Sequence, residues 1–593
     1  MSMPLANAST GLSGWFQRVA SGRINPTNAK KPAALVYSVD DHPPISITIS
    51  NAVQQVGVIA INLVYPLVIF RVAGASTSVT SDLLAVGMIV LAFGTFLQVF
   101  RLGPVGSGYM CPSTFTATYF APSLLAAKVG GLPLVFGMTL FSGVFESCIA
   151  PFLNRLRGIF PPEVSGLVIF MIGWSAGIAG LRMLLGAGAP PVDQVEWSIA
   201  ALTLVVMTVC NIWGTGIVRM TSALIGIVVG YILAALFGFI DGAQFSPVMN
   251  ASWVGLPQFH VSWSFDPSLI APFAIASLAA AMKAAGTITI CQRINDSNWV
   301  RPDLRSVTRG VLADGLTTAA AGIAGSVGTN TSTPGVGVAA ASGVTSRVVA
   351  IAVGVIFLML GFCPKLTAVL AIMPRAVVVS ALLFTVTFII INGVQVMTSR
   401  LLDSRRTLVL GLAIVAGGAV EVFPSITAAT PSQLSPIIGS SLVFATIVAL
   451  ALNLLLRIGV SKTATFKVAR DKIDSQAIET FFLKQAATWG ARPDIAQKAI
   501  FGVIQLVDAV ADTCWNEGDL LITARFDEFN LDVSIFYKGE QLEFPTRRPS
   551  IHQIRDDDEG ARLLAGYLLR QNADRIRSER KDSHAVVHFH FDH

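Results

Sequence analysis

Between Ile45 and about Leu456 the chain is one apolar run after another, each near the length that crosses a bilayer. Water offers few folds that bury so much. A spanning helix needs roughly 20 apolar residues, and candidates begin near Ile45, Leu83, Leu132, Val164, Trp197, Thr221, Leu269, Val307, Val348, Ala376, Thr407 and Ile437. Two further apolar stretches, Pro112 to Leu125 and Pro334 to Val344, are about half that length. The expected fold class is an all-α membrane protein of about fourteen segments, in two inverted seven-segment repeats. Outside this block the chain is polar before Ile45 and charged from Lys462 onward. Only 13% of all residues are charged, about half the share in a soluble domain. Three regions follow as an expectation: a cytoplasmic segment 1–44, a membrane domain 45–457, and a small cytoplasmic α/β domain 458–593.

Charge placement gives the orientation. The first residues lack the short apolar core and small-residue cleavage site of a secretory signal, so the N-terminus is expected in the cytoplasm. Alternation then places Arg101, Arg155, Arg157, Arg219, the cluster Arg293, Arg301, Arg305 and Arg309, then Arg347, Arg400, Arg405, Arg406, Arg457 and Lys462 on the cytoplasmic side. The opposite loops, Gly186 to Glu196 and Asp241 to Asp266, carry no Lys or Arg. That asymmetry matches the positive-inside rule. Both termini are expected in the cytoplasm of a bacterial-type inner membrane. The net charge of +6 is thereby explained by topology, and no nucleic-acid partner is expected. Cysteines 111, 148, 210, 291, 363 and 514 show no metal spacing and read as reduced packing residues. No cofactor, metal motif, nucleophile–base pair or phosphate loop is expected, so the chain does not read as an enzyme.

The two half-length stretches share one construction. Cys111-Pro112-Ser113-Thr114 and Ser332-Thr333-Pro334-Gly335-Val336-Gly337 each run from polar residues through proline to small residues. Proline suits a first helical position, where its missing N–H would be unbonded anyway. They fall third and tenth in order, at matching places in the two halves. Paired interrupted segments point to a transporter binding site near the bilayer midplane. The plainer alternative is two proline-capped loops in an ordinary bundle.

At these residues the chain resembles the nucleobase–ascorbate transporters, the family of uracil and xanthine permeases. The resemblance spans roughly Pro32 to Leu455. It rests on Tyr37-Ser-Val-Asp40-Asp41-His-Pro43-Pro44, Gln54-Gln55, Arg309-Gly310-Val-Leu-Ala-Asp314-Gly315, Pro334-Gly-Val-Gly337 through Ser346-Arg347, Phe362-Cys-Pro364-Lys365 and Met373-Pro374. It implies a core domain of segments one to four and eight to eleven, and a gate domain of five to seven and twelve to fourteen. It also implies a small-molecule substrate between the half-helices, elevator-like transport coupled to protons or sodium, and a homodimer.

Departures from the family pattern bear on the cargo. In segment eight the stretch Met282-Lys283-Ala284-Ala285-Gly286-Thr287 puts Lys283 where the family has a base-binding glutamate. In segment ten Pro334 and Gly335 replace the family's amide or acid and its asparagine, while Gly337 is retained. Facing helix N-termini carry partial positive charge and bind anions readily. Removing the carboxylates and adding a lysine makes the pocket net positive. The expected substrate is therefore purine-like or anionic, such as urate, xanthine, or a small organic or inorganic anion. An ionisable group inside a membrane is a functional-site hypothesis. Lys283 is assigned to substrate or, with Asp314, to coupling; the alternatives are a structural Lys283–Asp314 ion pair or an interfacial lysine.

Further candidates for the substrate site are Thr287, Ser113, Thr114, Phe115, Thr333, Gly335, Val336, Gly337 and Gln55. Thr116, Thr331 and Ser332 offer hydroxyls, though helix capping accounts equally well for such residues. Phe115 and Tyr119 could stack on a planar ring or simply pack. Glu146 reads as a lone intramembrane acid.

From Lys462 the pattern predicts a helix over Ala496–Cys514 and a hairpin of Leu520–Phe526 with Asn530–Tyr537. A second helix over Glu559–Ile576 and a final strand Val587–Phe591 follow. This order resembles the ATP-binding fold of histidine kinases. Its nucleotide positions read Gln505-Leu-Val-Asp508-Ala-Val-Ala-Asp512 and Tyr537-Lys538-Gly539 here, which implies a regulatory or dimerising domain and no ATPase. The terminal histidines 588, 590 and 593 are either metal ligands or the outward face of a strand. Two function classes remain: a secondary active transporter, or a membrane sensor whose transporter-like domain binds ligand while the C-terminal domain signals.

Overall fold

The apolar runs fold as helices, because backbone groups at membrane depth must find their partners within the segment. The computed structural model describes residues 30–101, 103–153, 161–185, 194–240, 242–299, 302–399, 402–423, 425, 430–431, 438–456, 461–469, 473–491, 493–513, 515–527, 530–546, 558–581 and 584–592. The chain forms two compact units that divide between Leu452 and Asn453.

In the first unit α1 (Ile45–Ala60) runs through a 3-10 turn (Ile61–Leu63) into α2 (Val64–Val72), followed by α3 (Thr77–Val99). Strand β1 (Ser113–Phe115), α4 (Phe120–Ile149), α5 (Pro162–Leu184), α6 (Gln194–Ile212) and α7 (Ser222–Leu236) come next. The second half holds α8 (Ile270–Asn295), α9 (Leu304–Ala324), β2 (Thr329–Thr331), α10 (Thr333–Ser342) and α11 (Arg347–Gly361). It closes with α12 (Pro364–Ala371), α13 (Arg375–Met397), α14 (Ser404–Val422) and α15 (Ser441–Leu456). Among the described residues, 7 helical stretches are long and apolar enough to cross a membrane. The pair α11 and α12, bent by 79°, makes an eighth when taken as one broken span. Arg155, Arg157, Arg301, Arg400, Arg457 and most of the 186–196 loop lie outside the described residues.

The first half-length segment departs from its sequence expectation. Pro112 does not open a helix; it leads into β1, and the helix starts with a 3-10 turn at Ala117–Tyr119. Thr116 caps that turn, its Oγ1 accepting from the Thr118 N–H at 3.2 Å. The residues between are hydroxyl-bearing and aromatic, types that sit well in strands, and a partner strand is available. That partner is β2, which pairs antiparallel with β1, Ser113 opposite Thr331 and Phe115 opposite Thr329. The pairing satisfies irregular backbone inside the bundle, the only place a membrane tolerates it. The second segment follows expectation: Pro334 lies in the first turn of α10, and the Ser332 hydroxyl caps it by accepting from the Gly335 N–H at 3.1 Å. Both half-helices stop at a left-handed glycine, Gly131 (φ 66°) and Gly343 (φ 68°).

Two groups of helices pack within this unit. One joins α13 to α5, α6 and α7, with α14 on α5. The other joins α9 to α4, α11 to α3, and α8 to both α4 and α9. The α4–α9 crossing is tight: a Cβ on Gly143 would lie 2.1 Å from the Ala319 backbone nitrogen.

The segment before α1 is tied to the end of α10. Val36 and Tyr37 donate their N–H groups to the Gly343 carbonyl, and Asp40 pairs with Arg347 at 3.1 Å. Burial pushes the neighbouring Asp41 carboxyl up, but Lys31 and the Ser38 N–H outweigh it and hold the group below the usual carboxylate range.

The second unit contains a five-stranded antiparallel sheet ordered β3-β4-β5-β7-β6. Its strands are β3 (Lys462–Val468), β4 (Trp515–Phe526), β5 (Asn530–Gly539), β6 (Arg575–Lys581) and β7 (His584–Asp592), with helices α16 (Ser475–Trp489), α17 (Pro493–Thr513) and α18 (Asp558–Asn572). Val503, Leu506 and Val510 of α17 share a core with Ile522, Val533 and Phe589 of the sheet. Sequence periodicity missed β3 and α16, and it ran the last helix on to Ile576. That helix ends at Asn572, and the following charged residues, Arg575–Lys581, instead form an edge strand beside β7. His588 and His590 contact Ser534 (2.8 Å) and Asp532 (2.6 Å) of β5. Cys514 and His593 lie outside the described residues.

Candidate functional site

Four elements meet where β1 crosses β2. Lys283 of α8 is half-buried, and its Nζ donates to the Thr116 Oγ1 at 3.3 Å, at the mouth of the first half-helix. One turn further along α8, the Thr287 hydroxyl lies 2.7 Å from the Thr333 hydroxyl, at the start of α10. From α1, Gln55 donates its Nε2 to the Gly335 carbonyl at 2.8 Å, while its Oε1 is buried without a hydrogen-bond partner. Its neighbour Gln54 turns away and contacts the Met220 sulfur. A single neighbourhood thus holds Lys283, Thr287, Thr333, Gly335 and Gln55, and it spans both half-helix N-termini. Gly286 and Gly337 border open space, since a Cβ on either would meet nothing within 4 Å.

Strand alternation divides the remaining candidates. Successive side chains on a strand point to opposite faces. Thr114 turns toward the 3-10 turn after α1, where its Oγ1 accepts from Asn62 at 2.8 Å. Ser113 and Phe115 take the other face, beneath α3, next to Gly94 and Gly87. These two are not brought to Lys283. Phe115 is fully buried there, and so is Tyr119, whose hydroxyl donates to the Glu146 Oε2 at 2.9 Å. Neither ring is free to stack on a ligand. Val336 packs in an apolar cluster with Ala281, Ala284 and Ile288 of α8.

Asp314 of α9 sits behind this neighbourhood. Its Oδ2 accepts from the Asn330 Nδ2 at 2.8 Å, and the same amide donates to the Ala280 carbonyl at 2.9 Å. Lys283 and Asp314 are near enough to attract one another, though among the described residues they form no ion pair within 4.0 Å. Glu146 is not a lone acid: it faces Asp314 across the α4–α9 crossing. Asn330 and the Glu146–Asp314 proximity escaped sequence reasoning. A buried asparagine one residue ahead of Thr331 was the available signal for the first; residues far apart in sequence gave none for the second. The Cys111 and Cys291 sulfurs, scattered in sequence, lie 3.1 Å apart. Chemically the neighbourhood offers one ammonium, several hydroxyls, an unused amide oxygen and two helix N-termini. It suits a small ligand with negative charge and hydrogen-bonding edges.

Known proteins resemble this chain over most of its first unit. A family model described as Permease family (Xan_ur_permease) matches residues 46–426. The xanthine permease XanQ of Escherichia coli is 27% identical over 447 residues, covering 71% of this chain and 94% of its own length. The nucleobase transporter PlUacP of Paenibacillus larvae is 26% identical over 414 residues, covering 68% of this chain and 92% of its own. Among solved structures, the transmembrane domain of a cyanobacterium bicarbonate transporter, BicA, aligns with a TM-score of 0.44 at 15% identity, over 68% of this chain and 96% of that one.

Proposed function

The chain belongs to the xanthine/uracil permease family, a family of permeases and not of enzymes, and on that premise we propose that it is a secondary active transporter of a purine-like or small anionic solute. The observation that carries the reading is Lys283 at the meeting of two half-helices, hydrogen-bonded to Thr116 of the first and one turn from the Thr287–Thr333 contact with the second. Helix N-termini and an ammonium both favour negative charge, and an ionisable side chain inside a membrane marks a solute or ion path.

Substrate contacts are assigned to Lys283, Thr287, Thr333, Gly335, Gly337 and Gln55, with Thr114 and Val336 shaping the site. Ser113 and Phe115 support it from below. Asp314, behind the site with Lys283 in front, is assigned to ion coupling with a proton or sodium. The two packed helix groups correspond to a core that carries the site and a gate against which it moves, as an elevator-like mechanism requires. Counting α1 with α2, α4 as two segments split at Gly131, and α11 with α12 gives about fourteen segments in two sevenfold halves. Both termini are assigned to the cytoplasm of an inner membrane, a reading that the basic segment ends support. The second unit serves regulation or homodimerisation.

A panel of purines, pyrimidines and small anions tests the reading on the full-length protein. A ligand that binds only the native state raises its apparent stability. Urate, xanthine or a small anion should raise the thermal midpoint and be carried into proteoliposomes. Stabilisation without flux would instead favour the sensor; stabilisation by neutral or cationic bases alone would overturn the anionic cargo.

A further inference from the structure

Glu146 and Asp314 are both fully buried, with relative exposures of 0% and 1%, and they face each other where α4 crosses α9, where their chain neighbours Ser147 and Gly315 pack directly together. Each has one oxygen engaged: the Glu146 Oε2 accepts from Tyr119 and the Asp314 Oδ2 from Asn330. Among the described residues the other oxygen of each, Glu146 Oε1 and Asp314 Oδ1, is buried and meets no donor in hydrogen-bond geometry, although the Thr331 N–H lies near Asp314. Two facing acceptors that lack a donor inside a membrane are unstable as they stand. An unpaired buried polar atom is costly, and two like charges so close disfavour each other's ionised form. A single proton between the two free oxygens resolves both problems, as it does in other paired carboxylates.

We propose that Glu146 and Asp314 form a carboxyl pair that holds one exchangeable proton and couples its uptake to solute binding at Lys283. The proposal rests on the transporter reading and adds Glu146 as a coupling residue. The other titratable groups facing the pair, among the described residues, are Tyr119 from the turn before α4 and Lys283 from α8. Tyr119 donates to Glu146, and so fixes which carboxylate oxygen remains free.

Charge accounting gives the coupling its direction. With one proton on it, the pair carries one negative charge, which balances the Lys283 ammonium. In that state an anion at the half-helix N-termini meets no net negative charge behind the ammonium. Loss of the proton opposes the anion. Proton and anion therefore favour each other's binding reciprocally and move together. The relay is short: Asn330 links Asp314 to β2, whose partner strand β1 runs on into Thr116, the residue Lys283 bonds. The tight α4–α9 crossing keeps the two carboxyls together.

Two readouts on the full-length protein test this. Infrared difference spectra, recorded without any solute, should show the carbonyl stretch of a buried protonated carboxyl in the wild type and its loss or shift in both Glu146→Gln and Asp314→Asn. In proteoliposomes loaded with or exposed to radiolabelled urate or xanthine, an inward pH gradient should drive wild-type accumulation. Glu146→Gln should lose that drive by about tenfold while still exchanging solute across the membrane at equilibrium. Asp314→Asn, with an intact partner, is the second variant should Glu146→Gln fail to fold. Absence of the carbonyl band, or unchanged pH-driven accumulation in a folded Glu146→Gln, overturns the pair. Drive by a sodium gradient alone overturns it too, in favour of a cation between the same oxygens. Failure of the wild type to carry any probe, with the band present, counts against the transporter reading and leaves the protonated pair standing.

Discussion

Asn330 shows how much one side chain holds at this site. Its amide nitrogen ties Asp314 to β2 and, through the Ala280 carbonyl, β2 to α8. Replacing it by alanine strands a buried carboxylate oxygen. Asn330→Ala should cost about 1–3 kcal/mol of stability, read as a lower thermal midpoint, and should weaken solute binding more than Asn62→Ala does at the periphery. Thr287→Val is a finer probe. It removes the hydroxyl contact between α8 and α10 but keeps shape, so it should leave the fold intact and reduce solute affinity, measured by thermal stabilisation. Lys283 was legible in the sequence because a cation in an apolar run stands out. Glu146 was visible as an acid, but its partner lies on another segment, and no single sequence encodes that adjacency.

Among the elements, the half-helices decide the site and glycines decide how closely it is built. Gly143 on α4 lies against the backbone of Ala319 and Gly315 on α9. Close backbone approach of this kind is what small residues allow between membrane helices. Gly143→Val must displace backbone rather than a flexible side chain. It should cost about 1–3 kcal/mol and disturb the carboxyl pair one turn away, so both the thermal midpoint and the infrared band should respond. Gly411→Ala, where a Cβ meets nothing within 4 Å, is the control and should change neither. The helical character of the block and the second half-helix could be read from hydropathy and Pro334. The first half-helix could not be read correctly, because Pro112 suits a helix start as well as a strand entry. Only β2, more than 200 residues away, settles the choice. Alternation along β1 then sends Ser113 and Phe115 away from Thr114, a division that a list of polar residues cannot reveal.

For the whole molecule, two units with separate cores imply separable stability. The second unit has its own buried set, including Ile522, Val533 and Phe589. Expressed from Ser461 onward, it should unfold cooperatively in urea, as small single domains do; a gradual, probe-dependent transition would contradict an independent core. The membrane unit rests on a different physical basis, with its site built from both halves of the chain. Its central claim is a solute site between two half-helices whose ammonium, Lys283, recognises negative charge. The most direct measurement titrates the most stabilising anion of the panel against wild type, Lys283→Ala and Lys283→Glu, following the thermal midpoint. A charge-assisted hydrogen bond is worth about 1.5–3 kcal/mol, and each 1.4 kcal/mol is about tenfold in affinity. Lys283→Ala should therefore need at least about tenfold more anion for the same shift, and Lys283→Glu should show none. Equal stabilisation of all three proteins would contradict the account.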